Sequence, residues 1–157
     1  MWRHLPATAA LALAAVAAGA QSTGGDDLDE DFARGAIIIE AGENACYRFD
    51  VYLAETNAQH RRGLMFVREL PRLTGMLFVY PDSAMRSMWM KNTFIPLDIL
   101  FIRADGTVSS IAQDTEPRSL ASIASTEPIQ YVLELNAGVT EELGIGPGSV
   151  IYFPPEL

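Results

Sequence analysis

The chain has 157 residues, with 11 Lys and Arg against 20 Asp and Glu for a net charge of −9, two histidines and one cysteine. That balance argues against nucleic acid or an anionic membrane as partner, since both are recognised through a basic footprint. A single cysteine cannot close an intramolecular disulfide, and with so few His and Cys a multi-histidine or four-cysteine zinc site cannot be built within one chain.

Residues 1–20 read as a secretory signal peptide. Trp2, Arg3 and His4 form a short basic start, about Leu5 to Ala18 is apolar, and Ala18-Gly19-Ala20 fits an A-x-A cleavage site. The apolar stretch is shorter than the roughly 20 residues that span a bilayer. Cleavage before Gln21 would leave about 137 residues in the periplasm or outside the cell, with no membrane insertion. The Gly- and acid-rich residues 21–34, which include Asp26-Asp27-Leu28-Asp29-Glu30-Asp31, read as a disordered leader. A single domain, residues 35–157, follows.

Ala36–Glu40 reads as a strand, and Cys46–Ala54 alternates apolar with polar residues at the period of a half-buried strand. Thr56 with Gln59 is a capping-box pattern opening a short helix that Gly63 closes. Gly75–Tyr80 reads as a buried strand stopped by Pro81-Asp82, and Met85–Met90 as another. Leu97–Arg103 and Thr107–Gln113 flank Ala104-Asp105-Gly106, a hairpin signal. Residues 114–128 form a polar loop long enough to suggest function. Ile129–Leu135 is a strand, Val139–Leu143 a short helix ended by Gly144, and Ser149–Phe153 the last strand after Gly146-Pro147-Gly148. The expected fold is α+β: seven or eight short, mostly antiparallel strands in a curled sheet or small barrel, with two short helices.

The strings G-L-M-F at Gly63–Phe66, G-M-L-F at Gly75–Phe78, M-W-M-K-N-T-F-I-P-L-D-I-L-F-I at Met88–Ile102, Y-V-L-E-L-N-A-G at Tyr131–Gly138 and L-G-I-G-P-G at Leu143–Gly148 resemble the DUF192 (UPF0127) family of uncharacterised bacterial and archaeal proteins. The resemblance implies a compact β-rich α+β fold and no established activity. Ser149 departs from the pattern, which has Asp there, and is expected to cap the turn.

The candidate site centres on Lys91, the only lysine, beside Trp89, the only tryptophan past the signal. Lysine is a compact charge whose pKa burial can lower, a role Arg cannot fill. Asp98 and Glu134 each sit inside an apolar strand, where a carboxylate is at a solvated end or buried with a partner. If their faces converge, Lys91, Asp98 and Glu134 form one charged cluster, read either as a structural ion pair or as a ligand-contacting or catalytic set. Asn92 and Thr93 follow in a turn and either tie up local backbone or contact ligand. Trp89 either packs in the core or, with Phe94, presents an aromatic wall to a sugar ring or peptide. Met88 and Met90, on one strand face, are weak candidates for Cu(I), and no cofactor is expected.

Cys46 reads as a buried small hydrophobe, and His60 as solvated on the short helix. Arg61 and Arg62 with Arg68 and Arg72 form a basic run, read as a solvated face or as a dock for an anionic ligand. Two functional readings follow. The first is a monomeric exported module binding a small polar ligand or peptide near Trp89, Lys91, Asn92, Thr93, Asp98 and Glu134. The alternative is a hydrolase-like enzyme with Asp98 and Glu134 as acid and base.

Overall fold

The computed structural model describes residues 26–42 and 45–154, so the expected signal peptide lies outside the described residues. In chain order the elements are α1 (Asp26–Asp31), β1 (Ala33–Glu40), β2 (Cys46–Ala54), α2 (Asn57–Arg62), β3 (Thr74–Ala84), β4 (Ser87–Met88), β5 (Leu97–Ile102), β6 (Val108–Ala112), β7 (Ile123–Ala124), β8 (Ile129–Asn136), α3 (Val139–Glu142) and β9 (Val150–Tyr152). Seven strands form one sheet in the order β6-β5-β8-β3-β2-β1-β9, and β4 pairs with β7 as a separate ribbon. Neighbours in the sheet are antiparallel except β2 and β3. A parallel pair needs a crossover, and α2 with the chain that follows it supplies one.

The two edges of the sheet meet. Thr107 bridges Val150, Val108 N donates to Ser149 O at 2.8 Å, and Ile151 N donates to Gly106 O at 2.9 Å. Gly106, at φ 86°, makes this closure possible, because a Cβ there would stand 2.5 Å from Ile151 O. Ser149 caps the preceding turn as expected, its Oγ accepting from Gly146 N at 3.1 Å. The mostly antiparallel, barrel-like α+β fold is the one the strand pattern and the family resemblance imply.

Both faces of the sheet are buried, which is why β5 is apolar nearly throughout and buried at every position. The inner face packs Ile37, Phe49, Leu77, Leu100, Leu133 and Ile151 inside the curl. The outer face packs Met76, Phe78, Ile99, Phe101 and Val132 beneath the connecting segments, from which Leu64, Leu70 and Met90 point inward.

Several boundaries differ from expectation for physical reasons. The acidic leader is not disordered from Asp26 onward: Leu28 and Phe32 are one helical turn apart, and both bury on the outer face, at 3% and 4% exposure. The acids of α1 are carried by that apolar stripe, and β1 begins at Ala33 rather than Ala36. Pro81 does not stop β3, because the pairing with β8 shifts register between Val79 and Ala84 and the bulge accommodates the proline. Of Met85–Met90 only Ser87–Met88 is strand. The Thr56 and Gln59 capping box forms as read.

Candidate functional site

Asp98 and Glu134 lie on adjacent strands, with Asp98 opposite Leu135 and Ile99 opposite Glu134. Directly opposed residues share a face and neighbours alternate, so the two acids point to opposite sides of the sheet. Asp98 faces the inner side at 0% exposure. Its Oδ1 accepts from Asp114 N at 3.0 Å, and its Oδ2 from Thr140 N at 3.1 Å and Thr140 Oγ1 at 2.7 Å. These bonds stitch the end of β6 and the start of α3 to β5. The expected Lys91–Asp98–Glu134 cluster therefore does not assemble. Two carboxylates separated by the sheet cannot share one substrate, so the acid-base pair of the hydrolase reading is corrected along with it.

Glu134 faces the outer side, between Met76 of β3 and Ile99 of β5. It forms the floor of a cleft of about 20 Å³ bordered by Leu64, Phe78, Met88, Trp89 and Lys91, room for about one water. Glu134 is buried, at 4% exposure, and burial alone pushes its carboxyl up to about 8. Burial therefore favours the neutral form of this carboxyl near pH 7.

Trp89 is 49% exposed rather than packed in the core, because Met90, the next residue, takes the inward position. Lys91 Nζ lies 5.0 Å from the Trp89 ring centre, a cation–π arrangement. Asn92 adopts a left-handed turn at φ 57°, and its carbonyl accepts from Phe66 N at 2.9 Å. Thr93 is buried, its amide donating to Met90 O at 3.0 Å and its hydroxyl reaching Lys91 O at 3.4 Å. Asn92 and Thr93 thus shape the turn that presents Trp89 and Lys91.

Three other expectations are corrected. Met88 and Met90 do not share an open face: Met90 is fully buried with its Sδ 3.2 Å from Thr115 Oγ1, while Met88 borders the cleft. His60 is half-buried, not solvated, with Nε2 2.9 Å from Ala54 O and 3.1 Å from Val79 O. Both partners are carbonyls, so Nε2 carries the proton and pins α2 onto β2 and β3. Cys46, at the start of β2, is exposed rather than buried.

Beside the cleft, Phe66 and Arg118 escaped the sequence pattern, and they meet Phe94 of the expected aromatic wall, as does Arg68 of the basic run. Phe66 is 55% exposed and meets Phe94 edge-on at 6.0 Å. Arg68 and Arg118 lie over Phe94 at 5.1 and 5.0 Å, and Arg62 over Phe66 at 5.7 Å. The exposure of Phe66 goes with a left-handed backbone at φ 68°, which no apolar pattern signals.

Fold and site together define a small, curled-sheet α+β domain with a buried acid beneath an aromatic and cationic surface. The chain belongs to the DUF192 family, described as "Uncharacterized ACR", whose model matches residues 37–153. Two similar solved structures share the fold. A protein from Sinorhizobium meliloti 1021, provisionally described as a transcription regulator, is 39% identical with a TM-score of 0.76 over 78% of this chain and 95% of its own. A protein of unknown function from Novosphingobium aromaticivorans DSM 12444 is 35% identical with a TM-score of 0.74 over 76% of this chain and 85% of its own. No curated protein matches.

Proposed function

We propose that the chain is an exported, monomeric binding module that holds a small polar ligand or peptide against Trp89 and Lys91, with a single polar group of it reaching into the cleft over Glu134. The observation that carries this reading is a carboxyl group buried among apolar side chains, with burial as the one cause of its raised pKa. A ligand group entering the cleft would hydrogen-bond to the Glu134 carboxyl, a contact worth about 0.5–1.5 kcal/mol net. Trp89 supplies an apolar wall and Lys91 a charge above it. Export rests on the A-x-A pattern of residues 18–20, and the net charge of −9 weighs against nucleic acid as the ligand.

Native mass spectrometry of protein recovered from its own periplasm tests the reading. The expected result is a chain beginning at Gln21 that carries a non-covalent adduct, with the adduct lost on Lys91→Ala. An unliganded mass for wild type, or the same adduct on both proteins, would overturn binding at this cleft. Recovery from the cytoplasm with residues 1–20 intact would overturn export.

A further inference from the structure

The cationic side chains divide into two sets. Of the ten Lys and Arg residues among the described residues, six lie within 4.0 Å of an acid: Arg34, Arg48, Arg62, Arg72, Arg86 and Arg103. The four without such a partner among the described residues are Arg61, Arg68, Lys91 and Arg118. All four border one surface. Arg61 and Lys91 line the cleft over Glu134, and Arg68 and Arg118 both stack on Phe94. Glu69 and Glu116, the acids beside Arg68 and Arg118 in sequence, make no ion pair with them.

The same surface gathers exposed apolar side chains. Phe66 and Trp89 are among the large hydrophobic residues left open to solvent, Phe66 meeting Phe94 edge-on and Trp89 lining the cleft, and they come from the segments that carry Arg68 and Lys91. Backbone bonds hold those segments together: Phe66 N donates to Asn92 O at 2.9 Å, Met90 N to Ser119 O at 3.1 Å, and Arg118 N to Thr93 O at 3.1 Å. Phe66, Asn92 and Arg118 are all left-handed, at φ 68°, 57° and 65°. Such a conformation costs a non-glycine residue about 1 kcal/mol or more. Asn92 adopts it readily, so the strain on this surface falls on Phe66 and Arg118.

We propose that this surface docks an acidic segment of a partner protein, whose Asp and Glu carboxylates pair with Arg68, Arg118 and Lys91 while its apolar side chains lie on Phe66 and Trp89. Charge complementarity selects the occupant. On a chain of net charge −9, unneutralised cations collected on one side attract carboxylates locally, whereas the whole molecule is repelled by an anionic bilayer or by DNA. Three of the four cations are Arg, whose planar fork matches a carboxylate in bidentate fashion, and stacking on Phe94 pre-orients two of those forks. Trp, Phe, Met and Arg together form the composition of protein-interface centres. This surface borders the Glu134 cleft but does not depend on a ligand being held there.

Fluorescence anisotropy with the full chain tests it. The probes are a fluorescein-labelled peptide of repeated Asp-Leu-Glu-Phe and its neutral Asn-Leu-Gln-Phe analogue, with phosphatidylglycerol vesicles and short duplex DNA as separate arms. The acidic peptide is expected to bind at least about ten-fold more tightly than the neutral one, and to weaken by a similar factor in about 0.5 M salt. Arg68→Gln with Arg118→Gln is expected to lose binding by about ten-fold, with an unchanged thermal unfolding curve. Phe66→Ala weakens binding without removing charge, and Arg48→Gln, remote and paired with Asp50, leaves it unchanged. Equal affinity for the two peptides, retention of affinity in the double Arg variant, or binding to the vesicles or DNA in place of the acidic peptide would each overturn the proposal.

Discussion

Asp98 and Glu134 stand one position out of register on paired strands, so one acid is enclosed by the curled sheet and the other lies beneath its outer covering. Similar side chains in similar apolar strings therefore have opposite roles. Three protein donors saturate Asp98. Glu134 remains neutral by burial and faces a cleft.

Asp98→Asn is expected to destabilise the fold by about 3 kcal/mol, the scale for removing one partner from a buried charge-assisted network. The substituted amide nitrogen would have to face an N–H donor at either Asp114 or Thr140. Urea unfolding measures the loss, and a midpoint unchanged from wild type would show that the stitch to α3 contributes nothing. Thr140→Ala removes the 2.7 Å hydroxyl bond but leaves the backbone donor, so it should cost less, about 1 kcal/mol.

Glu134 makes stability depend on pH in a defined direction. Its folded pKa is about 8, raised from 4.5, so between those values the folded state holds a proton that the unfolded state releases. The folded state then binds more protons, and stability falls as pH rises from about 4.5 to about 8, by an amount on the order of a few kcal/mol. Glu134→Gln, neutral at every pH and nearly the same shape, should match wild type near pH 5 and be the more stable protein at pH 8. A difference between the two that stays constant across this window would show that Glu134 is ionised in the fold.

Strands and core were legible because they follow from period and composition. The alternation in β2 and the apolar run of β5 each place a strand, and Gly106 with its neighbours places a hairpin. The pairing of faces was not legible, since it depends on which residue of β5 meets which residue of β8, and shifting that register by one residue reverses every side chain. Lys91 and Trp89 stood out by their rarity and do border the cleft with Glu134. Phe66 and Arg118 did not, nor did their meeting with Phe94 and Arg68, because a left-handed turn and three backbone bonds between distant segments bring them together, and neither has a hydropathy signature.

His60 provides a spectroscopic check on the packing of α2. With Nε2 facing the carbonyls of Ala54 and Val79, the neutral ring should be the Nε2–H tautomer, which nitrogen chemical shifts of the imidazole report directly. The Nδ1–H tautomer in solution would mean that the two carbonyls are not held by this ring. His60→Ala should cost about 1–3 kcal/mol by leaving both carbonyls unpaired beneath α2.

The same glycine-to-alanine exchange should have opposite effects at two places in the chain. At Gly75 in β3, a Cβ would stand 2.6 Å from Glu134 O and 2.7 Å from a Leu135 methyl. The first contact is backbone in the neighbouring strand of the ladder and cannot rotate away, so β3 must separate from β8, the strand that carries Glu134. Gly75→Ala is therefore expected to cost about 3 kcal/mol or more. It should also speed hydrogen exchange at Leu77 and Leu133, which pair across that junction. At Gly42 nothing among the described residues lies within 4 Å of the added carbon and the backbone is not left-handed, so alanine removes unfolded-state freedom without a clash and should add about 0.5 kcal/mol. Urea midpoints moving in opposite directions are the expected result. A tolerated alanine at Gly75 would mean that β3 and β8 are not packed this closely in solution, and the floor of the cleft would have to be redrawn.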